Sequence, residues 1–197
     1  EIAAQVKKHC RGNRKLAIDR GDLYIGAALE AQGIKLFDGQ ELAERARAIK
    51  SAEEILCMNY AITAAEVGMA RMHEALRPGV TENQLWSLLH QTNIAMGGEW
   101  IDARLMASGD RINPWGQEAS DRVIRASELV AFDCDMVGPF GYCADISRTW
   151  HCGPGRPTKQ QRALYKLAYE EVHHNISILK PGMSFRDFSK KTWKPPK

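Results

Sequence analysis

The chain lacks most of the features that assign a protein to a class at sight. None of its apolar runs approaches the roughly 18 residues needed to cross a bilayer, so no membrane partner is expected. No signal-peptide pattern opens it, although it begins with Glu1 rather than Met. Its five cysteines, Cys10, Cys57, Cys134, Cys143 and Cys152, are odd in number and contain no Cys-x-x-Cys pair. That argues against a zinc ribbon or a disulfide framework and fits reduced thiols in a cytoplasmic protein. Neither sign of charge dominates: 27 Lys and Arg stand against 24 Asp and Glu, for a net charge of +3. Without a basic stripe interleaved with aromatics, no nucleic-acid partner is expected. With 197 residues, 44% of them hydrophobic, the chain can bury one or two cores and has no disordered composition.

What is present is a cluster of acids in an apolar setting. Leu129-Val130-Ala131-Phe132 leads into Asp133-Cys134-Asp135, Gly138-Pro139-Phe140-Gly141 reads as a turn, and Tyr142 to Trp150 leads back. Side chains alternate along a strand, so Asp133 and Asp135 share a face, and a turn near Pro139-Phe140 brings Asp145 opposite them. Three converging carboxylates repel unless one holds a proton or a cation sits among them, and their hard oxygens suit Mn, Fe, Co or Zn. Asp133, Asp135 and Asp145 are therefore the expected metal ligands. Cys134 points to the opposite face, as a small buried hydrophobe.

The rest of the chain organises around that hairpin. Residues 1–48 read as the C-terminal part of an N-terminal α/β domain, with a strand near residues 15–19, a helix over 23–31 and a strand over 34–37. Ser51-x-x-Glu54 is a capping box opening a long helix with Ile55, Met58, Ile62, Ala65, Met69 and Met72 at helical spacing, ended by Pro78-Gly79. Thr81 caps a second helix carrying Leu85, Leu88, Leu89 and Ile94, closed by Gly97-Gly98, and strands follow from about residue 103.

A repeat then appears. Leu76-Arg77-Pro78-Gly79-Val80-Thr81 recurs as Leu179-Lys180-Pro181-Gly182-Met183-Ser184, each copy between a long helix and a shorter one. The second copy stops at Trp193-Lys194-Pro195-Pro196-Lys197, before any strands. Residues 49–197 are thus expected to be the N-terminal portion of a duplicated catalytic domain, truncated before its second β-lobe, and inactive alone.

The duplicated helix-ProGly-helix-strand order and the tail Ala144-Asp145-Ile146-Ser147-Arg148-Thr149-Trp150 resemble the pita-bread metallohydrolases: methionine and Xaa-Pro aminopeptidases, prolidase and creatinase. The resemblance implies an α+β pita-bread fold. In its peptidases the first two metal aspartates lie eleven positions apart, but here the position eleven before Asp145 is Cys134, and Asp133 and Asp135 stand twelve and ten before. No histidine follows Ser108-Gly109, where the peptidases commonly place one, and the stretch reads Asn113-Pro114-Trp115. This displaced pair, with Gly98-Glu99-Trp100-Ile101 and residues 108–118, resembles the DddP-type dimethylsulfoniopropionate lyases.

The lyase resemblance implies two divalent ions, iron first, with Mn, Zn or Co as alternatives, in a homodimer that acts on a small zwitterion by β-elimination. Trp115, Trp100 and Tyr142 are the expected substrate-binding residues, because aromatic faces attract a sulfonium. Arg148 is expected to pair with a carboxylate, and His173 and His174 to be solvated. The general base is expected in the missing lobe. An Xaa-Pro aminopeptidase-like or creatinase-like hydrolase, or a non-catalytic pita-bread binding module, are the alternatives.

Overall fold

In the computed structural model, which describes residues 1–195, two four-residue strands near the N-terminus pair in parallel around a single helix. These strands, β1 (Lys15–Ile18) and β2 (Lys35–Asp38), match Leu16 to Leu36 and are joined through α2 (Leu23–Ala31), preceded by α1 (Ile2–His9) and followed by α3 (Gln40–Ala48). Asp22 caps α2 by accepting the Ile25 N–H at 2.8 Å. Val6, Leu29 and Ile34 form a small core with Leu16, Ile18 and Leu36 against it. This unit, Glu1–Leu56, runs past the expected boundary at residue 48 and holds the two strands and the helix between them together with two further helices. The two helices not expected, α1 and α3, are short, and neither N-cap makes a side-chain hydrogen bond.

The second unit, Cys57–Lys197, contains most of α4 (Ala52–Ala75) and everything after it. The capping box is formed: Ser51 N–H donates to Glu54 Oε2 at 2.7 Å and Glu54 N–H to Ser51 Oγ at 3.2 Å. The buried stripe of α4 differs from the expected one. Ala61, Ala64, Ala65, Gly68, Met69 and Met72 are inside, whereas Ile55 and Ile62 are exposed. Small residues set this face, because α5 (Glu82–Ala95) crosses closely enough that a Cβ on Gly68 would lie 2.6 Å from the Leu89 side chain. Ile94, also expected inside, is exposed on α5.

Both Pro-Gly copies have one local structure. Gly79 and Gly182 take positive φ of 100° and 80°, and Thr81 and Ser184 cap α5 and α7 (Phe185–Lys191) through their side chains. Between the copies lie β3 (Trp100–Ile101), β4 (Met106–Ser108), β5 (Leu129–Asp133), β6 (Met136–Val137), β7 (Cys143–Ala144) and β8 (Ser147–His151), then α6 (Lys159–Ile178). They form two antiparallel sheets ordered β3-β6-β7 and β4-β5-β8. The strand expected from residue 103 starts only at Met106.

The core packs α4 and α5 on these sheets through Met69, Met72, Leu85, Trp86, Leu89, Met106, Val130, Phe132 and Met136. Phe132 has no exposed surface, and its burial contributes about 1.5–3 kcal/mol. It lies 4.7 Å from the Trp150 ring and 6.4 Å from that of Trp86. By contrast α6 buries no described residue, and leaves Leu164, Tyr165, Tyr169, Val172 and Ile176 exposed.

Candidate metal centre

The site begins where β5 leaves the core. Val130, Ala131 and Phe132 are buried in succession, so Asp133 is the first polar side chain on the strand. It pairs with Ser147, and three residues further on Met136 pairs with Ala144, so the same two chain segments run through both sheets. Between these pairs the ladder breaks. Asp135 sits at φ 24°, and Cys134 turns inward, its thiol donating to the Ala144 carbonyl at 3.1 Å while accepting the Ile146 N–H at 3.3 Å. Burial pushes the Cys134 thiol up to about 11, so it fastens the break and stays protonated. The turn closes where the sequence places it: Gly138 N–H donates to Tyr142 O at 2.9 Å, with Phe140 left-handed at φ 63°.

On the other side of the break Asp133, Asp135 and Asp145 each present a carboxylate oxygen within 4.8 Å of the others. None of the three forms an ion pair with a described Lys, Arg or His. The hydrogen bond to Asp133, then burial and the negative charges of Asp133 and Asp135, push the Asp145 carboxyl up to about 6. Burial, followed by Asp133 and Asp102, raises Asp135 too. Asp133 Oδ1 is buried with no hydrogen-bond partner among the described residues. An all-oxygen set holding one orphaned oxygen and one reluctant proton fits a hard divalent cation.

The expected substrate residues lie at different places around the carboxylates. Trp100 pairs with Val137, which pairs with Cys143, and the Asp102 N–H donates to Asp135 O at 3.1 Å. Alternation therefore puts half-exposed Trp100 on the face of Asp135 and Asp145, one side-chain repeat away, about 7 Å. Tyr142 ends the hairpin turn, partly buried. Trp115, 49% exposed, stands in the loop after a short turn at Gly109–Ile112. The base of that loop is close by: Glu118 bridges Leu105, whose carbonyl accepts the Asp133 N–H at 2.9 Å. Arg148 pairs with Glu66 at 2.6 Å, the expected structural role. His173 stacks on Tyr169 and His174 meets the Lys191 carbonyl, both on the surface.

One group escaped the sequence reading. Glu82 is fully buried, yet its carboxylate is ionised more readily than usual. Burial opposes ionisation, but hydrogen bonds from Ser108, Ser120 and Arg111 and the Arg111 charge outweigh it. Its Oε1 accepts the Ser108 N–H and hydroxyl at 2.8 and 2.7 Å, and its Oε2 accepts from Ser120 N–H, Ser120 Oγ and Arg111. In the sequence an acid after Thr81 reads only as a favourable first-turn charge.

The chain is 40% identical over 197 residues to the dimethylsulfoniopropionate lyase DddP of Roseovarius nubinhibens and to that of Roseobacter denitrificans, covering 98% of this chain and 44% of each relative. It is 28% identical over 192 residues to the Xaa-Pro dipeptidase of Lactobacillus delbrueckii subsp. lactis, covering 93% of this chain and 51% of that one. The chain thus spans about half the length of the curated relatives it matches. The Xaa-Pro dipeptidase of Bacillus anthracis superposes with a TM-score of 0.82 at 24% identity, over 97% of this chain and 54% of that one, which makes the fold pita-bread. Residues 56–196 match metallopeptidase family M24, a family of metal-dependent enzymes, and the chain belongs to it.

Proposed function

We propose that the protein carrying this chain cleaves dimethylsulfoniopropionate to dimethyl sulfide and acrylate. The observation that carries this reading is 40% identity to two such lyases along 98% of the chain. The convergence of Asp133, Asp135 and Asp145 at the displaced spacing supports it. In the reaction a base removes the proton α to the carboxylate, the electron pair forms the double bond, and the carbon–sulfur bond breaks with its electrons leaving on neutral dimethyl sulfide. No oxidant or reductant is needed.

Asp133, Asp135 and Asp145 would hold part of a site for two divalent ions, iron first, with Mn, Zn or Co as alternatives. Bound there, such ions supply Lewis-acid stabilisation of the charge that builds on the substrate carboxylate. Trp100 offers an aromatic face beside the carboxylates, at a spacing suited to the sulfonium end of a short zwitterion, with Trp115 and Tyr142 as further contacts. Residues 1–48 would be the end of an N-terminal domain, and 49–197 the first half of a pita-bread catalytic domain whose second half supplies the base and remaining ligands. The exposed apolar side chains of α6 fit that reading. A cytoplasmic homodimer with reduced thiols completes it, consistent with five free cysteines.

The second reading, an Xaa-Pro hydrolase, is favoured by the 28% identity to a dipeptidase. One assay separates the two. Metal-loaded full-length protein is offered dimethylsulfoniopropionate and an Xaa-Pro dipeptide; release of dimethyl sulfide with the dipeptide intact is expected. Hydrolysis of the dipeptide without dimethyl sulfide would overturn the lyase reading.

A further inference from the structure

The buried Glu82 carboxylate receives five hydrogen bonds, all from the segment that surrounds the Trp115 loop. We infer that Glu82 is a positioning residue: by fixing Arg111 it sets where the loop over residues 112–117, and Trp115 with it, stands at the rim of the carboxylate site. The inference rests on the reading of that site as the substrate site.

Arg111 clamps the loop. Its Nη1 bonds Glu82 and, at 2.9 Å, Ser120 Oγ; its Nη2 donates to the Glu118 carbonyl at 2.9 Å. One guanidinium thus ties together the two ends of a six-residue loop. The far end is held again by Arg104 on the Glu118 side chain at 3.2 Å and by Ala119 N–H on Arg104 O at 2.7 Å. The near end is held at Ser108, whose hydroxyl also accepts from Arg122, itself paired to Glu128.

The clamp is close to the acids. Glu118, Leu105 and Asp133 are neighbours on adjoining chain segments, so two strand spacings, about 10 Å, separate the loop base from Asp133. For stability alone a buried ion pair is a poor device, since apolar packing of similar volume often does as well. What the pair supplies is a single orientation of a planar fork, which suits a loop that must hold an aromatic ring at a fixed distance from bound charge.

The test substitutes Glu82→Gln, which keeps the shape and removes the charge that orients Arg111. In protein labelled with 5-fluorotryptophan, with the Trp115 resonance identified by Trp115→Phe, that resonance is expected to shift or broaden. Mn(II) affinity at the three aspartates should stay within about twofold. In full-length metal-loaded protein KM for dimethylsulfoniopropionate should rise about tenfold or more with kcat changed far less. Should Glu82→Gln fail to fold, Arg111→Lys keeps a cation opposite Glu82 but removes the arm to Glu118, and must move Trp115 in the same way. An unmoved Trp115 resonance, or a moved one with unchanged KM, overturns the inference. Absence of lyase activity in the unsubstituted protein overturns the substrate reading instead, and the Trp115 resonance still reports on the clamp.

Discussion

The carboxylates of Asp133 and Asp145 present oxygens within 4.8 Å of each other, and the neighbouring Asp133 pushes the Asp145 carboxyl up to about 6, so that it holds a proton more readily than usual. A divalent ion and that proton therefore compete for the same oxygens. Since Asp145 is raised from 3.8 to about 6, Mn(II) affinity is expected to level off above pH 6 and to fall about tenfold per pH unit below it. Calorimetric titrations between pH 5 and 7.5 check this, and a flat profile would remove Asp145 from the ligand set.

The same pair sets how the metal-free chain responds to acid. A carboxyl whose folded pKa is raised contributes stability below its unfolded value and loses it as pH rises through the folded one. Apo protein should therefore gain stability at this site as pH drops from about 7 towards 4, opposite to most carboxylates. Asp145→Asn should flatten that gain, leave the apo melting temperature at pH 7 equal or higher, and abolish the metal-induced rise. Asp145→Ala in the full-length protein should lose activity at least about a hundredfold while remaining folded. Melting with and without chelator separates ligand loss from unfolding.

Cys134 should resist thiol reagents in the native chain. Its burial and high pKa contrast with the exposed Cys10 and Cys143, which are expected to react first, leaving Cys134 and Cys152 to react on unfolding. Restoring the peptidase spacing with Cys134→Asp should not create a ligand. It would bury a carboxylate against the Ala144 carbonyl, beside Asp133 and Asp145 and with no counter-charge, and destabilise by about 3–5 kcal/mol, read by urea denaturation.

Gly98→Ala tests the support beneath the hairpin. An added Cβ would fall 1.8 Å from Asn93 Oδ1 and displace the side chain whose amide donates to Val137 O at 3.1 Å. A loss of about 1–3 kcal/mol is expected. Asn93→Ala should relieve the clash in the double variant, as a mutant cycle would show.

The carboxylate hairpin was legible because parity and a four-residue turn signal are local properties: Asp133, Asp135 and Asp145 needed no knowledge of the rest of the chain. The capping boxes and Pro-Gly turns were legible for the same reason. The buried face of α4 was not, since Ile55 and Ile62 outrank Ala61, Ala64 and Gly68 on any hydrophobicity scale. Only the close approach of Leu89 explains why the small residues are inside. Glu82 was hidden for a related reason. Its donors lie 26 to 38 residues away in sequence, at positions that look like a polar loop.

The inward turn of Cys134 also bears on how ligand spacing in this family can change. Moving an aspartate by one position along β5 carries it through the sheet to the apolar side, so the eleven-residue spacing and the one found here are not one substitution apart. Passage between them requires the backbone itself to slip by a residue. Here the register runs on unshifted, Asp133 facing Ser147 and Met136 facing Ala144, so the left-handed Asp135 and the Cys134 stitched to Ala144 and Ile146 leave an acid on either side of an inward thiol without such a slip.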